Sequence, residues 1–128
     1  MRTHRYKKQT AGSGVFLGIS AVVSRPATTP AVGAPVSDRV WLAASAVDHA
    51  FYGNRLALDA HELGWLRHGL ATTAADIERV ETCPFVLVEV RALEIVEAHY
   101  QPAALAAAIA GWATEEFGLP RRPWTGGA

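Results

Sequence analysis

The chain has 128 residues, with 12 Lys and Arg against 12 Asp and Glu, so its formal net charge is zero with histidine neutral. Half of the residues are hydrophobic and 19% are charged, which predicts one domain with a real core and no global basic excess of the kind nucleic-acid binders usually carry. A single cysteine, Cys83, excludes an internal disulfide and fits a reducing, cytoplasmic setting.

The cations are unevenly placed. Arg2, Arg5, Lys7 and Lys8 all precede the first acidic residue, Asp38. Residues 1–10 read as a polar, extended, basic segment. It has no apolar stretch of the signal-peptide kind behind it, because Gly12-Ser13-Gly14 interrupts first. Val15–Val23 is apolar over nine residues, too short to cross a bilayer as a helix, and its β-branched and aromatic content predicts a strand over Phe16–Val23. The expectation is a chain with no membrane partner. Its alanine content and its preference for Arg over Lys fit a high-GC bacterial genome.

Pro26, Pro30, Gly33 and Pro35 make residues 24–37 a turn-rich connection. Arg39–Val47 is a second strand candidate, with helix left open by its alanines. Asn54 is a fair N-cap for a helix from Arg55 to Leu70, where Leu56, Leu63, Leu66 and Leu70 form one stripe. Gly64 and Gly69 weaken that helix by about 1 kcal/mol each against alanine. Thr73 and Asp76 suggest a capping box for a short helical turn through Val80.

Pro84 opens the strongest strand, with Val86, Val88 and Val90 on one face and Phe85 and Leu87 on the other. Pro102 suits position N1 of a last helix, whose core stripe is Leu105, Ile109 and Trp112. Gly118 closes that helix and Pro120 prevents its resumption. The domain is therefore expected over residues 11–118, with an irregular tail over 119–128. No internal repeat is visible.

The pattern is α/β in the α+β sense, in the order β-β-α-β-α: a two-layer sandwich with two helices on one face of a mixed sheet. No catalytic constellation stands out. His61 and His68 are seven apart, about 10 Å along a helix, too far for one small metal without a third ligand. Asp48-His49 has no placed nucleophile, and Cys83 reads as a small buried filler. Gly12-Ser13-Gly14 is not a P-loop, since no G-x-x-x-x-G-K-[ST] is present and a strand follows the glycines. The expectation is no catalytic residue, no metal, no cofactor, and no binding of GTP or ATP.

A basic approach, bare-backbone glycines and a strand suit contact with a phosphate backbone; an ordinary turn before a strand is the plain alternative. Here a resemblance enters. Lys7-Lys-Gln-Thr-Ala-Gly-Ser-Gly-Val-Phe16 resembles the start of the fourth domain of translation elongation factor G, which reads K-K-Q-[ST]-G-G-S-G-Q-[FY]. Ala11 and Val15 depart from that pattern. Pro84–Val90 is similar to the family's P-V-V-D-V-K-V strand, and Ala103–Gly111 falls on its S-E-M-A-F-K-I-A-A helix. The likeness covers roughly residues 5–117 and is specific at the first motif. Against it, Ala71–Cys83 is an insertion.

The resemblance implies the ribosomal protein S5 domain 2-like fold with a left-handed β-α-β crossover, where handedness statistics favour a right-handed one. It implies that the Gly-rich loop and the loop before the last helix lie together at a tip that meets RNA in the ribosomal decoding region. The residues this assigns to RNA are Lys7, Lys8, Gln9, Gly12, Ser13 and Gly14, with His99 nearby. The second loop, Glu97–Ala103, has lost the family's Y-H-x-V-D-S-S pattern, so two partner classes stay open: ribosome or RNA, and another protein that binds a translation-factor descendant whose tip function is gone. No GTPase activity is implied, because that chemistry belongs to a different domain of the family.

Overall fold

In the computed structural model, residues 1–10 and 12–125 are described, apart from the side chains of Thr10 and Ser13. The α+β expectation holds: a mixed sheet packs against two helices. The strands are β1 (Arg2–Thr10), β2 (Ser13–Ser24), β3 (Ala34–Pro35), β4 (Val40–Ala43), β5 (Val47–His49), β6 (Arg55–Leu56) and β7 (Val86–Ile95). The helices are α1 (Ala60–Val80) and α2 (Ala104–Phe117), with one 3-10 turn at Glu97–His99 between β7 and α2. The sheet order is β1-β2-β7-β4-β3, with β5 continuing beside β7 and β6 paired to β5. Among the described residues, only the β7 pairings with β4 and β5 are parallel.

The basic opening segment is more than extended. Arg2–Thr10 is paired along its whole length with Ser13–Ala21 and forms an edge of the sheet. No apolar alternation announces it, because its inward positions are His4 and Tyr6 rather than aliphatic residues. The strand count therefore exceeds the two strands expected before the first helix.

Alternation along β2 buries Val15, Leu17, Ile19 and Ala21. On β7 the buried set changes parity, from Val86, Val88 and Val90 to Leu93. The register explains it. Val90 opposes Ala21 and Ala92 opposes Ser20, so Arg91 is an extra residue, a β-bulge. The Arg39–Val47 candidate resolves into strand, but an interrupted one. Val40–Ala43 lies along Val86–Glu89 and Asp48–His49 along Ala92–Leu93, so residues 44–47 span what residues 90–91 cover on β7.

The first helix begins later and runs longer than the leucine stripe predicts. Its N-cap is Asp59, not Asn54. Asp59 Oδ1 accepts from the Glu62 amide at 2.8 Å, and the Asp59 amide donates to Glu62 Oε1 at 3.1 Å, a complete capping box. Asn54 instead closes the β5–β6 hairpin, where its carbonyl accepts from the His49 amide. Leu56 is thus in a strand, and Leu63 is exposed. The buried stripe is Leu66, Gly69, Leu70, Thr73, Ala74 and Ile77. Thr73 caps nothing: its hydroxyl donates to the Leu70 carbonyl inside the continuous helix. Most of the 71–83 insertion is simply the last part of α1.

The second helix follows expectation closely. Leu105, Ile109 and Trp112 are all fully buried, and Gly118 ends it in the left-handed conformation at φ 64°. Pro102, however, precedes the N-cap Ala103 and does not occupy N1. Cys83 is only partly buried against the core rather than inside it. Residues 119–125 have no regular structure, though Leu119 is buried.

The end of α1 is held by charge. The Arg39 guanidinium donates to the carbonyls of Glu78, Glu81 and Cys83. Arg25 makes a two-pronged pair with Glu81 at 2.6 and 3.1 Å. The Ser37 hydroxyl, then the Arg39 amide and charge, hold the Glu78 carboxyl below its usual range, against burial. The Arg25 hydrogen bonds do the same for Glu81. With both folded values depressed, this contribution is full above the unfolded value of about 4.3 and is lost as pH falls through the lower folded values. Urea midpoints measured between about pH 6 and pH 3 should therefore fall toward acid, and a Glu78→Gln, Glu81→Gln variant should show a flatter decline.

Candidate nucleic-acid interface

Three loops leave the same end of the sheet. Leu17 opposes Ile95, the last residue of β7, so the β1–β2 hairpin runs four residues further to Ser13, about 13 Å beyond β7 at strand rise. Thr10 pairs with Ser13 across its end, and Gly12 turns there at φ 84°. A Cβ placed on Gly12 would meet nothing within 4 Å, so this backbone is open on its outer side. The 3-10 turn Glu97–His99 continues from β7 to the same end. The β5–β6 hairpin turns there as well, because β5 runs parallel to β7 and ends at its Leu93 partner.

The Gly-rich hairpin and the loop before α2 touch. His99 Nδ1 is 3.1 Å from the Gly14 carbonyl, a bond in which the ring nitrogen donates. Gln9 lies opposite Gly14 in the register, and a Cβ on Gly14 would sit 3.4 Å from Gln9 Oε1 and 3.7 Å from His99 Nδ1. Gly14 therefore lets both side chains close over the strand. The turn is tied to the helical layer by Tyr100, whose hydroxyl donates to Glu62. Burial first, and then that carboxylate, push the Tyr100 phenol well above its usual value.

Of the residues assigned to RNA, Gln9, Gly14 and His99 are in mutual reach, and Gly12 stands at the open turn. Ser13 Cβ and hydroxyl, and all of Ala11, lie outside the described residues. The two lysines are not together. Lys8 opposes Val15 and so belongs to the helix side of the sheet, whereas Lys7 opposes Phe16 on the other side, its Nζ 5.8 Å from the Phe16 ring centre. Consecutive strand residues cannot share a face. Among the described residues neither lysine has an ion-pair partner.

The remaining N-terminal cations are committed. Arg5 forms a two-pronged pair with Glu94 at 2.7 and 2.9 Å that crosses directly over Gly18. A Cβ on Gly18 would come within 2.0 Å of Glu94, so that bridge requires glycine. Arg2 reaches Glu116 at 3.7 Å and Glu115 at 4.0 Å.

Phe51 and Tyr52 were not singled out from the sequence. They sit at the tip of the β5–β6 hairpin, 51% and 79% exposed, beside the buried His49 ring. The available signal was an aromatic pair immediately before Gly53-Asn54, a turn sequence. Asp48 and His49 have separate partners: Asp48 pairs with Arg55 at 3.4 Å, while His49 Nδ1 accepts from the Phe51 amide at 3.3 Å. His61 and His68 stay exposed on α1, each ring set edge-on to Trp65. Among the described residues no group of three or more His, Cys, Asp or Glu is placed to hold a metal, and no helix is long and apolar enough to cross a membrane. Compared with known proteins, the chain matches no family model and no curated sequence, so the likeness to the fourth domain of elongation factor G rests on the motif residues themselves.

Proposed function

We propose that this chain is a non-enzymatic RNA-binding module of the translation-factor type, which meets RNA with the end of the sheet that carries Gly12, Gly14 and His99. The observation that carries this reading is the His99–Gly14 contact, which joins the two loops that the resemblance assigns to one tip. The exposed rings of Phe51 and Tyr52 at the same end supply a surface on which unpaired bases can stack. Lys7 and Lys8 supply charge for phosphates on either side of the hairpin. The S5 domain 2-like assignment belongs to the same proposal, supported by the helix-linked parallel pair β4–β7. The ribosome is the partner this reading favours.

A second reading, a protein-interaction domain with its tip function lost, is favoured by one observation: Arg2 and Arg5 are spent on carboxylates of the chain itself. Binding of fluorescent decoding-region RNA separates the two. On the RNA reading, affinity falls with salt along a shallow slope of about −1 to −3 in log K against log salt, because only two to four cations are on offer. Lys7→Ala with Lys8→Ala weakens binding to all sequences alike and flattens the slope. Tyr52→Ala weakens binding by about 1–3 kcal/mol and leaves the slope alone. No binding at low salt, or binding indifferent to the double lysine change, would leave the protein-interaction reading.

A further inference from the structure

Apart from the loops of that tip, a half-open cavity of about 550 Å³ lies between α1, α2, the inner side of β1 and the segment 119–125, which forms its roof. Its size lies within the range of about 300–1,000 Å³ typical of small-molecule sites. The floor is bare helix: Ala107, Ala110 and Gly111 of α2. A Cβ on Gly111 would come within 2.3 Å of the His4 ring, so a larger residue there would push that ring aside. Aromatic walls come from Tyr6, from His68 and from Trp124, whose ring stands edge-on to His68 with centres 6.1 Å apart. Burial raises the Tyr6 phenol above its usual value, so it lines the cavity as a neutral hydroxyl.

The charges in and around the cavity decide what it would hold. Asp76, with its side chain 11% exposed, receives two guanidiniums, Arg79 at 2.6 Å and Arg122 at 3.5 Å. Glu115 receives His4 and shares Arg2 with Glu116. Arg121 lines the same cavity and, among the described residues, has no ion-pair partner. The lining thus holds two guanidiniums (Arg121, Arg122) and two carboxylates (Asp76, Glu115); both carboxylates are paired within the chain, and the cation left over is Arg121. Asp76 is already satisfied from within the chain, so a ligand amine would have to displace Arg122 from it, whereas a ligand anion would complete the set.

We propose that this cavity binds a small aromatic carboxylate, its ring against Trp124 and His68 and its carboxylate on the fork of Arg121 and Arg122. A guanidinium pair suits a carboxylate because its planar N–H groups match both oxygens. The segment 119–125 is then a binding element rather than a passive tail. The proposal is independent of the RNA reading, since none of its residues is at the tip.

The test uses the full chain and three probes of one shape: 2-naphthoate, 2-naphthamide and 2-naphthylmethylamine, titrated by calorimetry and by tryptophan fluorescence. The expected result is saturable binding of 2-naphthoate, at least tenfold tighter than the amide, with the amine weakest. Arg121→Gln with Arg122→Gln should remove the preference for naphthoate over the amide without abolishing amide binding. Trp124→Phe should erase the ligand-dependent fluorescence change. Thr72→Trp, which fills the cavity from its exposed rim on α1, should abolish binding of all three probes with the circular dichroism spectrum unchanged. Tighter binding of the amine, naphthoate binding that ignores the double arginine change, or no binding of naphthoate at millimolar concentration would each overturn the proposal.

Discussion

Trp112→Ala will lower the stability of the fold by about 3–5 kcal/mol, the cost of deleting a large buried aromatic side chain. The residue is 0% exposed and is the largest of the fully buried side chains. It belongs to the same core cluster as Leu105 and Ile109 and meets the Phe117 ring edge-on at 6.1 Å. Its indole N–H also donates to the Arg2 carbonyl at 3.1 Å, so the substitution leaves that β1 carbonyl without its donor as well as leaving a void. A melting temperature lower by roughly 10–20 °C is the corresponding thermal result. Trp112→Phe keeps much of the volume and loses the hydrogen bond, so it should cost markedly less. A change for Trp112→Ala within about 0.5 kcal/mol by urea unfolding would contradict the buried position.

Gly64→Ala and Gly69→Ala will move stability in opposite directions, although both lie inside α1 and five residues apart. Helix propensity alone makes each substitution stabilising by about 1 kcal/mol. At Gly64 a new methyl group meets nothing within 4 Å, so that gain should be realised in full. At Gly69 the Cβ would stand 2.2 Å from the Ala106 carbonyl oxygen and 2.6 Å from its Cα. Those atoms are backbone of α2, and no rotamer change moves them. The two helices must separate or shear, and the expected net cost is about 2–3 kcal/mol, as for overpacking elsewhere. Parallel denaturant curves for the two variants would check this; a stabilised Gly69→Ala would mean the helices do not cross there.

These two glycines also show where the sequence stopped being informative. Seen alone, each is a helix-weakening residue, and nothing local separates them. The difference is the distance to Ala106, which is 37 positions away in the chain and lies in another element. The Leu105, Ile109 and Trp112 stripe was legible because a repeating local period records which face is buried. Gly118 was legible because the left-handed cap is itself a local demand. The start of α1 was misplaced since Asn54 and Asp59 are both good caps, and only pairing of Arg55–Leu56 with Val47–Asp48 decides between them. The β1 strand was understated because its inward side chains are polar, with Arg2 and His4 paired to carboxylates of α2. For the candidate interface, the resemblance pointed to Gly14 and His99, but not to the splitting of Lys7 from Lys8, which depends on residues 2–10 being a paired strand. The cavity left almost no trace in the sequence, since it is assembled from four separate elements.

The clamp between β1 and α2 has a consequence for how the molecule is made. The Trp112 bond to Arg2 joins residues 110 positions apart, and Arg2 and His4 reach Glu115 and Glu116 over similar separations. As the chain leaves the exit tunnel, β1 and β2 can form their hairpin at once, on a timescale of microseconds. Their inner face then waits uncovered until α2 has emerged, several seconds later at ordinary elongation rates of about 5–20 residues per second. During that interval Leu17, Ile19 and an unprotected strand edge are open to other chains. A nascent polypeptide arrested before residue 112 should therefore engage chaperones strongly, and release should come with synthesis of the last helix.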